Sequence, residues 1–163
     1  MKRPALTGTI LIVVLVAAAL ATAVLARADS DKDAGEVRGG GTTIVKGGTG
    51  PPGHIPVLTK FALHWRGGEG GFECLALAPN SPSGPNSGQF ETNAMYVTGK
   101  ITSVKVRGET AVLKGTSTVT GLGVGTNKPF TATVTRGGPG ASLVLEVSGL
   151  TFDEILIDGE IVF

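Results

Sequence analysis

The sequence predicts an all-β fold: an antiparallel meander of about eight to nine strands, closed as a small barrel or stacked as a two-layer sandwich, preceded by a signal peptide. Three observations predict it. Apolar and polar residues alternate at period two in run after run, as in strands with one buried face. The runs recur at spacings of about ten residues, with turn residues between them. Glycine accounts for 26 of the 163 residues and aromatics for only 5%. That mixture suits tight turns, which need positive φ, and suits long helices poorly.

At the N-terminus Lys2 and Arg3 precede an uncharged stretch from Pro4 to Ala26, with Ile10–Leu20 almost wholly apolar. Ala26-Arg27-Ala28 or Val24-Leu25-Ala26 supplies a small-residue cleavage pattern, so residues 1–28 read as an export signal. The apolar run, about 20 residues, is also long enough to stay as an uncleaved anchor. The lone cysteine, Cys74, is far from this run, which excludes a lipid-modified cysteine there. Residues 29–41 place Asp29, Asp31, Lys32, Asp33 and Glu36 before Gly39-Gly40-Gly41 and read as a flexible polar leader. The acids lack the spaced oxygens, central glycine and final glutamate of a calcium loop. Residues 42–163 form the β domain.

Within it, Thr42–Lys46 is a first short strand, and Gly47–Pro56 is a loop containing His54. Val57–Trp65 follows, with Phe61, Leu63 and Trp65 on one face and Ala62 and His64 on the other. Arg66–Gly71 is a hairpin connection. It lacks the Lys-Ser/Thr pair and the following helix of a phosphate-binding loop. Phe72–Ala78 returns and carries Cys74 as a small buried apolar residue. Pro79–Ser87 is a surface loop. In Gln89–Val97, Phe90, Thr92 and Ala94 alternate until Met95-Tyr96 breaks the pattern, which predicts a bulge there.

Gly99–Gly121 is the central hairpin. Val104 and Val106 face one way and Lys105 and Arg107 the other, and Gly108-Glu109 makes the turn. Ala111, Leu113, Ser117 and Val119 then alternate with Val112, Lys114, Thr116, Thr118 and Thr120. Gly121–Lys128 turns the chain into a half-buried strand carrying Phe130, Ala132 and Val134. Arg136–Gly140 is the next turn, Leu143, Leu145 and Val147 mark another strand, and Ser148-Gly149 turns again. In the final run, Asp158-Gly159 reads as a two-residue hairpin that folds Glu160–Phe163 back onto Ile155–Ile157.

The pieces Gly39-Gly-Gly-Thr-Thr43, Phe61-Ala-Leu63, Gly99–Gly108, Ala111–Gly121, Phe130–Thr135, Pro139-Gly140 and Gly159-Glu-Ile161 occur in an order that resembles the small exported bacterial β-domains called post-COAP domains. The resemblance covers most of residues 39–163 and rests on turn glycines and core alternation. It implies a secreted β-domain with no established activity. Family members tend to carry acids on both sides of the Pro-Gly. Arg136 and Ser142 stand here instead, so a cation-binding role of those acids does not carry over.

No catalytic, cofactor-binding or metal-binding residue is expected. Asp153, Glu154, Asp158 and Glu160 cluster near the end of the chain, but Asp153 and Glu154 are adjacent and point to opposite faces of a strand. No Gly-x-Ser-x-Gly elbow is present, and His54 with His64 makes no ligand set. Lys2, Arg3 and Arg27 are the basic residues of the first 28, leaving 11 basic against 13 acidic residues beyond them. That balance and the few aromatics disfavour nucleic acid as a partner. The expected role is that of an exported, non-enzymatic domain with a structural or interaction function, secreted or at the cell surface. It would touch the membrane only through an uncleaved N-terminal segment. A carrier of a small apolar ligand is the alternative, and a hydrolase is a weaker one. A filled interior favours the first role and a cavity above about 300 Å3 the second. Mass spectrometry of exported protein should find a chain beginning near Asp29; an intact Met1 in the membrane fraction would make the segment an anchor.

Overall fold

Strands of this pattern each have one apolar face to bury and two edges to pair, and joining them edge to edge in chain order meets both demands. The computed structural model describes residues 32–33, 35–49, 55–80 and 91–163. Its strands are β1 (Lys32–Asp33), β2 (Glu36–Val45), β3 (Leu58–Arg66), β4 (Glu69–Asn80), β5 (Glu91–Arg107), β6 (Thr110–Gly121), β7 (Gly125–Thr135), β8 (Ser142–Val147) and β9 (Leu150–Val162). From β2 onward each strand pairs antiparallel with the next, and β9 pairs back onto β2. The result is a closed up-and-down barrel of eight strands, which decides between barrel and sandwich. β1 lies beside the end of β5, Lys32 opposite Val106 and Asp33 opposite Lys105. No helix occurs among the described residues. The export segment 1–28, His54 and the loop from Ser81 to Ser87 lie outside them.

The inward faces form one hydrophobic cluster. An eight-stranded barrel is just wide enough inside for side chains to fill it. Here the Phe72 and Phe130 rings stack near its middle with centroids 5.2 Å apart. Phe130 lies over two inward glycines. A Cβ on Gly99 or Gly115 would sit 2.9 or 2.7 Å from Phe130 Cε1, so the ring occupies the space their missing side chains leave.

Where β9 runs past the start of β8, the 137–141 loop pairs with it instead. Gly137 and Ile161 exchange two backbone hydrogen bonds of 2.9 Å, Gly140 N–H donates to the Leu156 carbonyl and Leu156 N–H donates to that of Ala141, both at 2.8 Å. At the same end the Arg136 guanidinium lies 4.7 Å from the Phe163 ring centroid. It donates to the Phe163 carbonyl oxygen and, at 3.4 Å, to Glu109 Oε1. Ser142, just past this loop, is also held in place: its N–H donates to Thr135 Oγ1 at 2.7 Å.

Three expectations are corrected. β2 begins at Glu36, so residues 36–41 belong to the sheet and not to a leader. Three consecutive glycines hid the alternation there. The expected strand Gln89–Val97 and the strand opening the central hairpin are one continuous β5, bulged between Ile101 and Ser103 and not at Met95-Tyr96. One extra residue exchanges the faces. Met95 and Val97 point inward, and Ala94, expected inside, is exposed. Asp158-Gly159 is no hairpin, because β9 runs straight through it. The register against β2 slips between Leu156 and Asp158, and Gly159 lies opposite Gly41.

The outside also differs from a purely threonine-rich surface. Ile155, Ile44, Leu58, Leu77 and Ala94 are consecutive cross-strand partners, forming an aliphatic row over five strands.

Gly159 has φ +110°, and a Cβ on it would stand 2.1 Å from the Gly40 carbonyl oxygen. Gly159→Ala therefore forces β9 away from β2 and should destabilise the fold by about 3 kcal/mol or more in urea unfolding. Gly149→Ala, with φ +76° but open space around it, should lose only about 1 kcal/mol. Equal losses would show that the seam has slack.

Candidate functional site

The barrel's two ends are unlike. Arg136 and the 137–141 loop lie at one end, which holds a cavity of about 440 Å3 beside Trp65 and Val104, whereas the described residues of the other end line a larger cavity of about 770 Å3. Val45, Val57, Ala76, Ala78, Met95, Leu122 and Phe152 supply its apolar wall, with Lys46, Thr49, Thr151 and Asp153 among its polar lining. Ala76 and Ala78 of β4 put small side chains where the neighbouring strands put larger ones, and this leaves room. Lys46 Nζ and Asp153 Oδ1 form a 2.7 Å ion pair. Both side chains are about half exposed, so the pair contributes under about 1 kcal/mol.

The inward positions next below this wall are polar on three strands and apolar on two. Thr43 lies two residues before Val45, Thr59 two after Val57 and Glu154 two after Phe152, whereas Cys74, two before Ala76, and Val97, two after Met95, are apolar. All are buried, Glu154 to 1% exposure. Thr43 Oγ1 lies against Glu154 Oε2 and 3.4 Å from the Thr59 carbonyl oxygen. A hydroxyl has one proton to give. The Thr43 hydroxyl donates to the Glu154 carboxyl, and its contact with the Thr59 carbonyl is the longer and weaker one. Thr59 Oγ1 is buried near the same carboxyl without hydrogen-bond geometry to it. Burial raises the Glu154 pKa from 4.5 to about 7 against the opposing pull of the Thr43 and Thr59 hydroxyls, and the Asp153 charge pushes it further up. Burial, and after it the Glu154 charge, also holds the Cys74 thiol far above its ordinary range. Cys74 is thus the buried, unreactive residue the sequence implied.

The remaining candidates separate. Asp153 and Glu154 do face opposite sides, one in a surface ion pair and the other inside the barrel. Asp158 and Glu160 are exposed on β9, and His64 is exposed on β3. No group of three or more potential metal ligands exists among the described residues. The interior place of Glu154 is not assigned from the sequence, although Phe152, Glu154 and Leu156 share one parity.

A carboxyl that folding makes harder to ionise contributes stability at acid pH and loses it as pH rises. Below 4.5 both folded and unfolded chains carry the proton; between there and about 7 only the folded chain does. Stability should fall across this window by up to about 3 kcal/mol. Glu154→Gln should remove that fall, read as the difference between wild-type and variant unfolding across pH. Parallel pH profiles would place the titration elsewhere.

Comparison with protein-family models, curated proteins and solved structures finds no match to the chain.

Proposed function

We propose that this chain is an exported, non-catalytic β-barrel that carries one small apolar molecule in its open mouth. The observation that carries the reading is the apolar-walled cavity of about 770 Å3, within the roughly 300–1,000 Å3 of small-molecule sites. Toward the middle the interior is filled by the stacked Phe72 and Phe130 and their neighbours, so the mouth and the layer just beneath it, not the whole barrel axis, form the binding volume. Export rests on the charged, apolar and small-residue sequence of residues 1–28. Against a hydrolase, the neighbouring carboxylates lie on opposite faces, too badly placed to share a substrate. The aliphatic row favours a second reading, an interaction role at the cell surface. Under it, Leu58→Ser with Leu77→Ser should release the protein from cells without altering ligand binding.

The neutral apolar fluorophore N-phenyl-1-naphthylamine should bind wild-type protein saturably. Ala76→Trp, which fills the mouth, should weaken binding about tenfold or more, a loss of roughly 1.4 kcal/mol. Leu77→Ser on the outer face should leave it unchanged. A lack of saturable binding, or indifference to Ala76→Trp, would overturn the carrier reading.

A further inference from the structure

We propose that the mouth selects amphipathic amines, with the apolar body in the cavity and the ammonium head held below it by Glu154 and Thr59. The inference rests on the carrier reading and adds the chemistry of the ligand's head.

The wall of the cavity accepts any apolar body of suitable size, so selection falls to the layer beneath. Glu154 and Thr59 each lie two residues deeper than a wall residue on the same strand, about 7 Å along it. That is within the length of a medium-chain aliphatic molecule entering head first. The two side chains are incomplete in complementary ways. Thr59 Oγ1 is buried with no hydrogen bond. Glu154 has a hydroxyl against it but, among the described residues, no counter-ion: the groups that act on its carboxyl are Thr43 of β2, Thr59 of β3 and the anionic Asp153 of β9, and the neutral Cys74 of β4 feels its charge. The cation on the cavity lining, Lys46 just after β2, is engaged by Asp153.

An ammonium group supplies what is missing. It has three donors and a positive charge, enough for the carboxylate and the spare hydroxyl together. An alcohol satisfies the hydroxyl but brings no charge. A carboxylate head meets a like group in a poorly solvated layer and is repelled. Where Glu154 carries its proton, binding an ammonium releases that proton to solvent and leaves an ion pair, so amine affinity must rise with pH until the carboxyl is ionised.

The test is displacement of N-phenyl-1-naphthylamine by decylamine, 1-decanol and decanoate at about pH 5.5 and about pH 8. In wild-type protein at the higher pH, decylamine should displace the probe at a concentration about tenfold below that of decanol, with decanoate weakest. The advantage of the amine should shrink at the lower pH, while decanol stays constant. Glu154→Gln should abolish the preference and its pH dependence and still bind the probe, and Thr59→Val should reduce the preference. If either variant fails to fold, the wild-type pH comparison decides alone. Equal displacement by all three at both pH values, with the probe bound, overturns the amine assignment and leaves the carrier reading standing. Failure of the probe to bind overturns both.

Discussion

The β2–β9 seam is the constraint on which the barrel depends. Seven hairpin pairings follow from chain order alone, but the eighth joins strands more than a hundred residues apart in sequence. Without it the meander is an open sheet with two long edges, a surface prone to pairing with other chains. The seam is built where side chains are missing. Gly39, Gly40 and Gly41 face Ile161, Glu160 and Gly159 in register, and the backbones come too close for a Cβ on Gly159 or Gly41. The slip between Leu156 and Asp158 sits beside this contact. An extra residue there sharpens the local twist, as closing a barrel requires.

Closure also fixes what the interior can hold. The stacked Phe72 and Phe130 occupy the middle, and their fit depends on the absent side chains of Gly99 and Gly115. A barrel packed in this way leaves no space for a ligand along its axis. The apolar-walled cavity of about 770 Å3 appears where the wall thins to alanines on β4, above the buried Thr43, Thr59 and Glu154. The cavity at the opposite end, beside Trp65 and Val104, is smaller, about 440 Å3.

Where a strand keeps strict alternation, the sequence reads directly as structure. β6 buries Ala111, Leu113, Ser117 and Val119, β7 buries Phe130, Ala132 and Val134, and β8 buries Leu143, Leu145 and Val147. Reading fails where alternation slips or loses its markers. Counting back by twos from Val104 puts Ala94 inside, but the bulge after Ile101 exchanges the faces and brings in Met95. Asp158-Gly159 carries the chemistry of a two-residue turn, and local preference cannot reveal that the glycine serves a contact with a strand far away in sequence. Glu154 is hard to read for a related reason: charge argues for the surface and parity for the core, and the structure follows parity.

The acid in the core needs a physical reason, because nothing about folding calls for it. A leucine at position 154 would continue the apolar face of Phe152 and Leu156 and avoid the desolvation of a carboxyl. A valine at position 59 would fill the same volume without leaving a hydroxyl unpaired. Sequences that specify one structure are consistent at every level, and departures concentrate where function overrides packing. Here two departures occupy the same inward layer, directly beneath the cavity of the open end. Elsewhere among the described residues the one buried polar side chain facing in, Ser117, has a partner in the Lys128 carbonyl oxygen. A defect arising by drift has no cause to choose the one layer that lies under open volume. The coincidence is what a binding site produces, when groups left incomplete in the empty protein are completed by the molecule that enters.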